Sequence, residues 1–182
     1  METNTLTFPL LRELPQVAAD STDVSIAESP ILDAPVELLC FRLDGQEYGL
    51  PLHLIQEIRR YQVPTALPGQ DAAALGVLNL RGQVIALMDL RQLLGLSAFR
   101  PAVGEEDLRA VVVLVHKGRH LGLVVDDVVT VLHAQPEEFR GLPTMPGNTS
   151  QRHLRGLILA GARHVLLLHP SEWIAAYASP AA

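Results

Sequence analysis

Gly76–Arg91 reads GVLNLRGQVIALMDLR, and its interpretation decides the fold. Asn79-Leu80-Arg81-Gly82 carries turn chemistry, because Asn and Gly accept backbone angles that β-branched residues resist. Gln83–Met88 is almost wholly apolar, as in a strand buried on both faces. Asp89 is placed to cap a short helical segment over Leu90–Leu96, which Gly95 interrupts near its end. A tight turn ahead of a buried strand leaves Arg81 few routes inward. Its guanidinium is therefore expected to be presented, either to a partner or simply to solvent; an internal pairing with Asp89 or Asp126 is the competing arrangement.

Further hairpins lie on either side of this block. Glu37–Leu43 and Glu47–Leu50 flank Asp44-Gly45, a strong short-range hairpin signal. Ala110–His116 and His120–Val125 flank Lys117-Gly118, and Gly156–Ala160 and Arg163–Leu168 flank Gly161. Between them the spacing of Leu54, Ile55 and Ile58 predicts a helix over His53–Arg60. Asp89–Leu94, Pro136–Phe139 and Ser171–Tyr177 read as further short helical pieces. The run from Gly45 to Ile58 aligns without gaps onto Gly118–Val131, with a turn Gly and a following Gly-Leu in both. Two related β-lobes are expected.

Composition limits the function. The formal charge is −6, which argues against a general nucleic-acid surface. Residues 1–35 hold six acids and one base, whereas the remainder holds 14 acids and 13 bases, so the acidity belongs to an N-terminal extension. With Pro9, Pro15, Pro30 and Pro35, that extension reads as disordered, leaving 36–182 as the folded domain. The single cysteine, Cys40, excludes an intramolecular disulfide and reads as a small buried hydrophobe. The longest apolar run, Ala110–Val115, is too short to span a bilayer, and the start of the chain lacks a signal-peptide pattern. A cytoplasmic protein without direct membrane insertion is expected.

Catalytic chemistry is sought in vain. The seven histidines show no HExxH pattern and no Cys/His ligand spacing. His116 and His120 should sit on opposite strands of a hairpin. Asp126-Asp127 reads as the start of a helical turn. No Ser stands in a G-x-S-x-G setting, and no P-loop is present. The reading is a binding module with no cofactor and no metal; a small metal-dependent hydrolase using the His-rich second half is a remote alternative.

Three ordered blocks carry a resemblance. They are Gly76–Arg91, the run Phe41-Arg42-Leu43-Asp44-Gly45-Gln46-Glu47-Tyr48-Gly49-Leu50 followed by Ile55-Gln56-Glu57-Ile58-Arg59, and Leu121–Val128. Together they resemble the signature of the CheW family, small coupling proteins that join chemoreceptors to the histidine kinase CheA. The resemblance implies a mainly β fold of two packed five-stranded β-barrels with short helices. It implies a non-enzymatic adaptor whose partners are the regulatory domain of a CheA-type kinase and the cytoplasmic tip of methyl-accepting receptors, recruiting the protein to receptor arrays. Ile55, Gln56, Glu57 and Arg59, with Gly76, Asn79 and Arg81, match the segments that meet those partners. Core packing for Ile55, solvated charge for Glu57 and Arg59, and a purely conformational role for Gly76 remain open alternatives. Ala86 stands where the family usually has Pro, and Pro51 replaces a frequent acid. A pilus-motility or biofilm paralogue, or an array component that activates no kinase, fits the sequence as well.

Overall fold

The computed structural model describes residues 33–98, 108–143 and 149–180. The expected extension therefore lies, for residues 1–32, outside the described residues. The strands are β1 (Val36–Leu43), β2 (Gln46–Pro51), β3 (Ile55–Arg60), β4 (Ala74–Leu80), β5 (Gln83–Asp89), β6 (Ala110–His116), β7 (Arg119–Val125), β8 (Asp127–Ala134), β9 (Phe139–Arg140), β10 (Leu154–Ala160), β11 (Arg163–Leu168) and β12 (Ser179–Pro180). Helices α1 (Leu90–Leu93) and α2 (Ser171–Tyr177) complete them, with 3-10 turns at Leu52–Leu54, Pro136–Glu138 and Thr149–His153.

Local turn chemistry sets the hairpins. Asp44-Gly45, Arg81-Gly82 and Lys117-Gly118 all have positive φ at both central positions (53°/79°, 52°/88° and 50°/71°). These are the mirror-image turns whose twist matches that of the flanking strands. Six-stranded sheets result, in the orders β8-β1-β2-β11-β10-β9 and β3-β6-β7-β5-β4, the second extended by β12 on β7. Each contains five longer strands and a two-residue sixth, in line with the two-lobed β architecture expected.

The two halves of the chain repeat one another. β1-β2-β3-β4-β5-α1 recurs as β6-β7-β8-β10-β11-α2, and β2 pairs in parallel with β11 as β7 does with β5. The third strands are exchanged: β3 pairs with β6 of the second half, and β8 pairs with β1 of the first. Even the irregularities match. A bulge leaves Gln56 unpaired between Ile55 and Glu57, and its counterpart leaves Val129 unpaired between Val128 and Thr130. Each lobe also closes in the same way. The chain leaving β3 returns to bridge Thr65 with Val77 of β4, and the chain leaving β8 returns as β9 against β10.

Strand alternation divides the apolar residues among three cores. Leu38 and Cys40 of β1 face the interior of the first lobe with Ile158, Val165 and Leu167. Val111 and Val113 of β6 face the interior of the second, with Ile85 and Leu87. The opposite faces of these strands meet between the sheets, where Leu39, Phe41, Leu43, Val112, Leu114, Leu121, Leu123, Trp173 and Ile174 form the largest core. Burial on both sides explains the continuous apolar run Ala110–Val115, whereas Gln83–Met88 is buried on both sides only toward its end: Ile85, Leu87 and Met88 are buried, but Val84 is 55% exposed.

Two sequence expectations are corrected. His53–Arg60 is not a helix: apart from a turn at Leu52–Leu54 it is strand β3. Asp126-Asp127 does not open a helical turn, since Asp126 links β7 to β8 and Asp127 begins β8. Three local expectations hold: Asp89 caps α1 by accepting from the Arg91 N–H at 2.9 Å, Cys40 is fully buried, and His116 and His120 lie on opposite strands.

Candidate partner interface

The seven residues proposed from the sequence fall on β3 and on the β4–β5 hairpin of the second lobe. Ile55 lies opposite Leu114 and packs against the inter-sheet core, so part of its role is structural. The bulge at Gln56 turns Glu57 to the other face, opposite Val113, and Arg59 follows it opposite Val111. Ile55 and Arg59 therefore lie on opposite faces, contrary to the shared helical side expected. Gln56 and Arg59 are solvent-exposed and Glu57 is half-buried.

At the hairpin, Asn79 Oδ1 accepts from the Gly82 N–H at 2.9 Å and fixes the turn. This holds Arg81 at the tip with its side chain 83% exposed. The Arg81 guanidinium donates to Glu57 Oε2 at 3.2 Å and so joins the two segments. The competing arrangement, Arg81 paired with Asp89 or Asp126, is not found. Gly76 is buried; at φ +134° a Cβ there would meet Thr65 O at 2.2 Å. Its place is to admit the Thr65–Ala66 backbone that closes the lobe. Gly156 does the same in the other lobe, where a Cβ would strike the Phe139 ring.

The geometry is that of a contact surface. Among the described residues no group of three or more His, Cys, Asp or Glu could hold a metal ion, and no helix is long and apolar enough to cross a membrane. A protein-family model described as the CheW-like domain matches residues 37–177. This chain belongs to the CheW-like family. The chemotaxis protein CheW of Rhizobium meliloti (strain 1021) is 30% identical over 141 residues, spanning 75% of this chain and 88% of that protein. CheW of Klebsiella aerogenes is 33% identical over 132 residues, spanning 72% and 77%. The crystal structure of the scaffolding protein TtCheW from Thermoanaerobacter tengcongensis superimposes with a TM-score of 0.64 at 21% identity, over 74% of this chain and 84% of that one. CheW-like proteins are scaffolds and adaptors, a non-catalytic family.

One polar network in this CheW-like domain escaped the sequence reading. Arg91 donates from Nε to Asp126 Oδ1 at 2.8 Å and from Nη2 to Oδ2 at 2.5 Å, and its Nη1 lies 3.5 Å from Asp44 Oδ1. Asp126 Oδ2 also accepts from the Asp44 N–H at 2.8 Å. The network ties the β1–β2 turn of one sheet to α1 of the other, at the point where β7 passes into β8. The hydrogen bond to Asp126 is the main cause raising the Arg91 pKa, and burial lifts the Asp89 carboxyl above its usual range. The adjacent acids Asp126-Asp127 were visible in the sequence, but the arginines they meet, Arg91 for Asp126 and Arg42 for Asp127, lie far away in the chain.

Proposed function

We propose that this protein is a non-enzymatic adaptor that holds the regulatory domain of a CheA-type kinase against the cytoplasmic tip of methyl-accepting receptors, and is recruited to receptor arrays through those contacts. The observation that carries this reading is Arg81: the turn of the family signature presents an exposed arginine, paired with Glu57, at the tip of the β4–β5 hairpin, with Val84 of the same hairpin also exposed. Arg offers fork-like donors suited to a carboxylate or carbonyl on a partner, and arginines are enriched among residues that dominate binding. Glu57 pairs with it and Asn79 fixes its turn, Ile55, Gln56 and Arg59 belong to the same strand as Glu57, and Gly76 shapes the lobe where β4 meets the returning chain.

The mechanism is geometric: two partners held on one rigid body experience each other's position, and no covalent bond is made or broken. The direct test is capture of the kinase regulatory fragment and of a receptor-tip fragment by the purified protein, with kinase output measured in the reconstituted mixture. Capture of both, with output responding to the receptor, supports the adaptor. Capture of neither ends the reading, and capture without activation assigns the chain to an array component instead.

A further inference from the structure

In each half of the chain the second strand passes into the third at a crossing between the sheets, from β2 to β3 and from β7 to β8. The gapless alignment of the halves makes His53 the counterpart of Asp126 and Lys117 the counterpart of Asp44. The β7–β8 crossing is gripped from both sheets. Arg91, its side chain 12% exposed, forks onto both oxygens of Asp126, and Asp126 Oδ2 also takes the Asp44 N–H. The Asp126 N–H donates in turn to Arg42 O at 3.2 Å. The β2–β3 crossing is bare. Its 3-10 turn has no side-chain cap and buries no residue, and His53 and Lys117 are exposed and form no ion pair among the described residues. Helix α2, the counterpart of α1, offers exposed Ser171 and Glu172 where α1 offers Arg91.

The bare crossing means that this architecture closes without such a grip. Nor is the grip an efficient source of stability, because a shielded ion pair adds little over apolar packing of the same shape. What it adds is direction. Apolar attraction is non-directional, so the shared core holds the sheets together with less control over their angle than a bidentate fork exerts. We propose that Arg91 is a positioning residue of the adaptor: acting through Asp126 and the Asp44 turn, it fixes the angle of the first lobe to the second, whose β3 and β4–β5 hairpin carry the candidate partner residues. A displacement that a partner imposes on one lobe is then carried to the other instead of being absorbed between them. The part played in signalling rests on the proposed function; the setting of the angle does not.

The test uses the full chain as Arg91→Ala and as Arg91→Lys. The second variant keeps a positive charge among Asp126, Asp44 and Asp89 and decides the matter if the first does not fold. Residual dipolar couplings of the backbone amides should fit one alignment frame in the unaltered protein. In the variants each sheet should still fit by itself, while the two sheets together require separate frames. A single frame for a folded variant overturns the proposal. In a mixture reconstituted with the kinase and the receptor, capture of each partner should stay within about twofold, while the receptor's effect on kinase output falls at least about fivefold, the lower end of ordinary coupling between sites. Unchanged output overturns the part played in signalling. Loss of capture by a folded variant does so too, because Arg91 would then be a partner contact. Capture of neither partner by the unaltered protein ends the adaptor reading, and separate frames in the variants would still uphold the setting of the angle.

Discussion

At the scale of single residues, two members of the signature block do opposite work. Arg81 is exposed and its pairing with Glu57 crosses solvent, so the contact stabilises the fold by no more than about 1 kcal/mol. Arg81→Ala is therefore expected to leave the melting curve nearly unchanged while weakening partner binding roughly 30-fold, the cost of about 2 kcal/mol common for a truncated hot-spot arginine. Melting and affinity measured on one sample separate this from mere unfolding, and no loss of affinity would leave Arg81 as ordinary surface. Gly76 is the reverse case. A methyl group there meets backbone at 2.2 Å and at a φ that side chains resist, and backbone cannot rotate away as a flexible side chain can. Gly76→Ala should cost several kcal/mol, above the roughly 0.5–3 kcal/mol of most substitutions, by urea denaturation. It should reduce binding only in proportion to the unfolded fraction.

At the scale of elements, what the sequence revealed depended on how local the cause was. The hairpins at Asp44-Gly45 and Lys117-Gly118 were readable because two adjacent residues dictate the turn, and Asp89 was readable as a cap for the same reason. β3 was misread because a bulge disguised its period. With Gln56 unpaired, Ile55 and Ile58 come to the same face of the strand, opposite Leu114 and Val112, and the resulting i, i+3 spacing imitates a helix. Val128 and Val131 repeat the pattern in β8. The candidate site was legible to the extent that its residues belong to two short segments; the Arg81–Glu57 contact between them, and the Arg91–Asp126 network, depend on chain topology that no local spacing encodes. The strand reading makes its own prediction. Ile58 is 44% exposed, whereas Ile55 packs against the inter-sheet core. Ile58→Thr should change stability by less than about 0.5 kcal/mol, and Ile55→Thr should cost between one and a few kcal/mol, since a half-buried apolar group is replaced by a hydroxyl. Equal costs would contradict the assigned faces.

At the scale of the whole molecule, the exchange of β3 and β8 means that neither sheet can form from one half of the chain, and the shared core makes the lobes a single cooperative unit. Helix α2 seals that core with Trp173, whose ring lies 4.8 Å from that of His153. Burial holds the His153 pKa below its usual value, Arg152 and His169 act in the same direction, and Glu172, 3.5 Å from Nδ1, opposes them. A histidine whose folded pKa is depressed binds its proton more readily in the unfolded chain. Its neutral form supports the fold above about pH 6.5, and that support is lost as pH falls below the unfolded value toward the folded one. The melting temperature should therefore decline as pH falls below about 6.5, and His153→Phe should flatten that decline. An unchanged slope in the variant would remove His153 as its source.

The N-terminal segment gives the last expectation at this scale. Every described strand and helix lies within residues 36–180, and the three cores draw on nothing before Val36. Deleting residues 1–34 is therefore expected to leave the melting temperature nearly unchanged, as read by calorimetry. A fall of more than about 2–4 °C, which corresponds to roughly 1 kcal/mol for a domain of this size, would mean that the segment packs against the folded body.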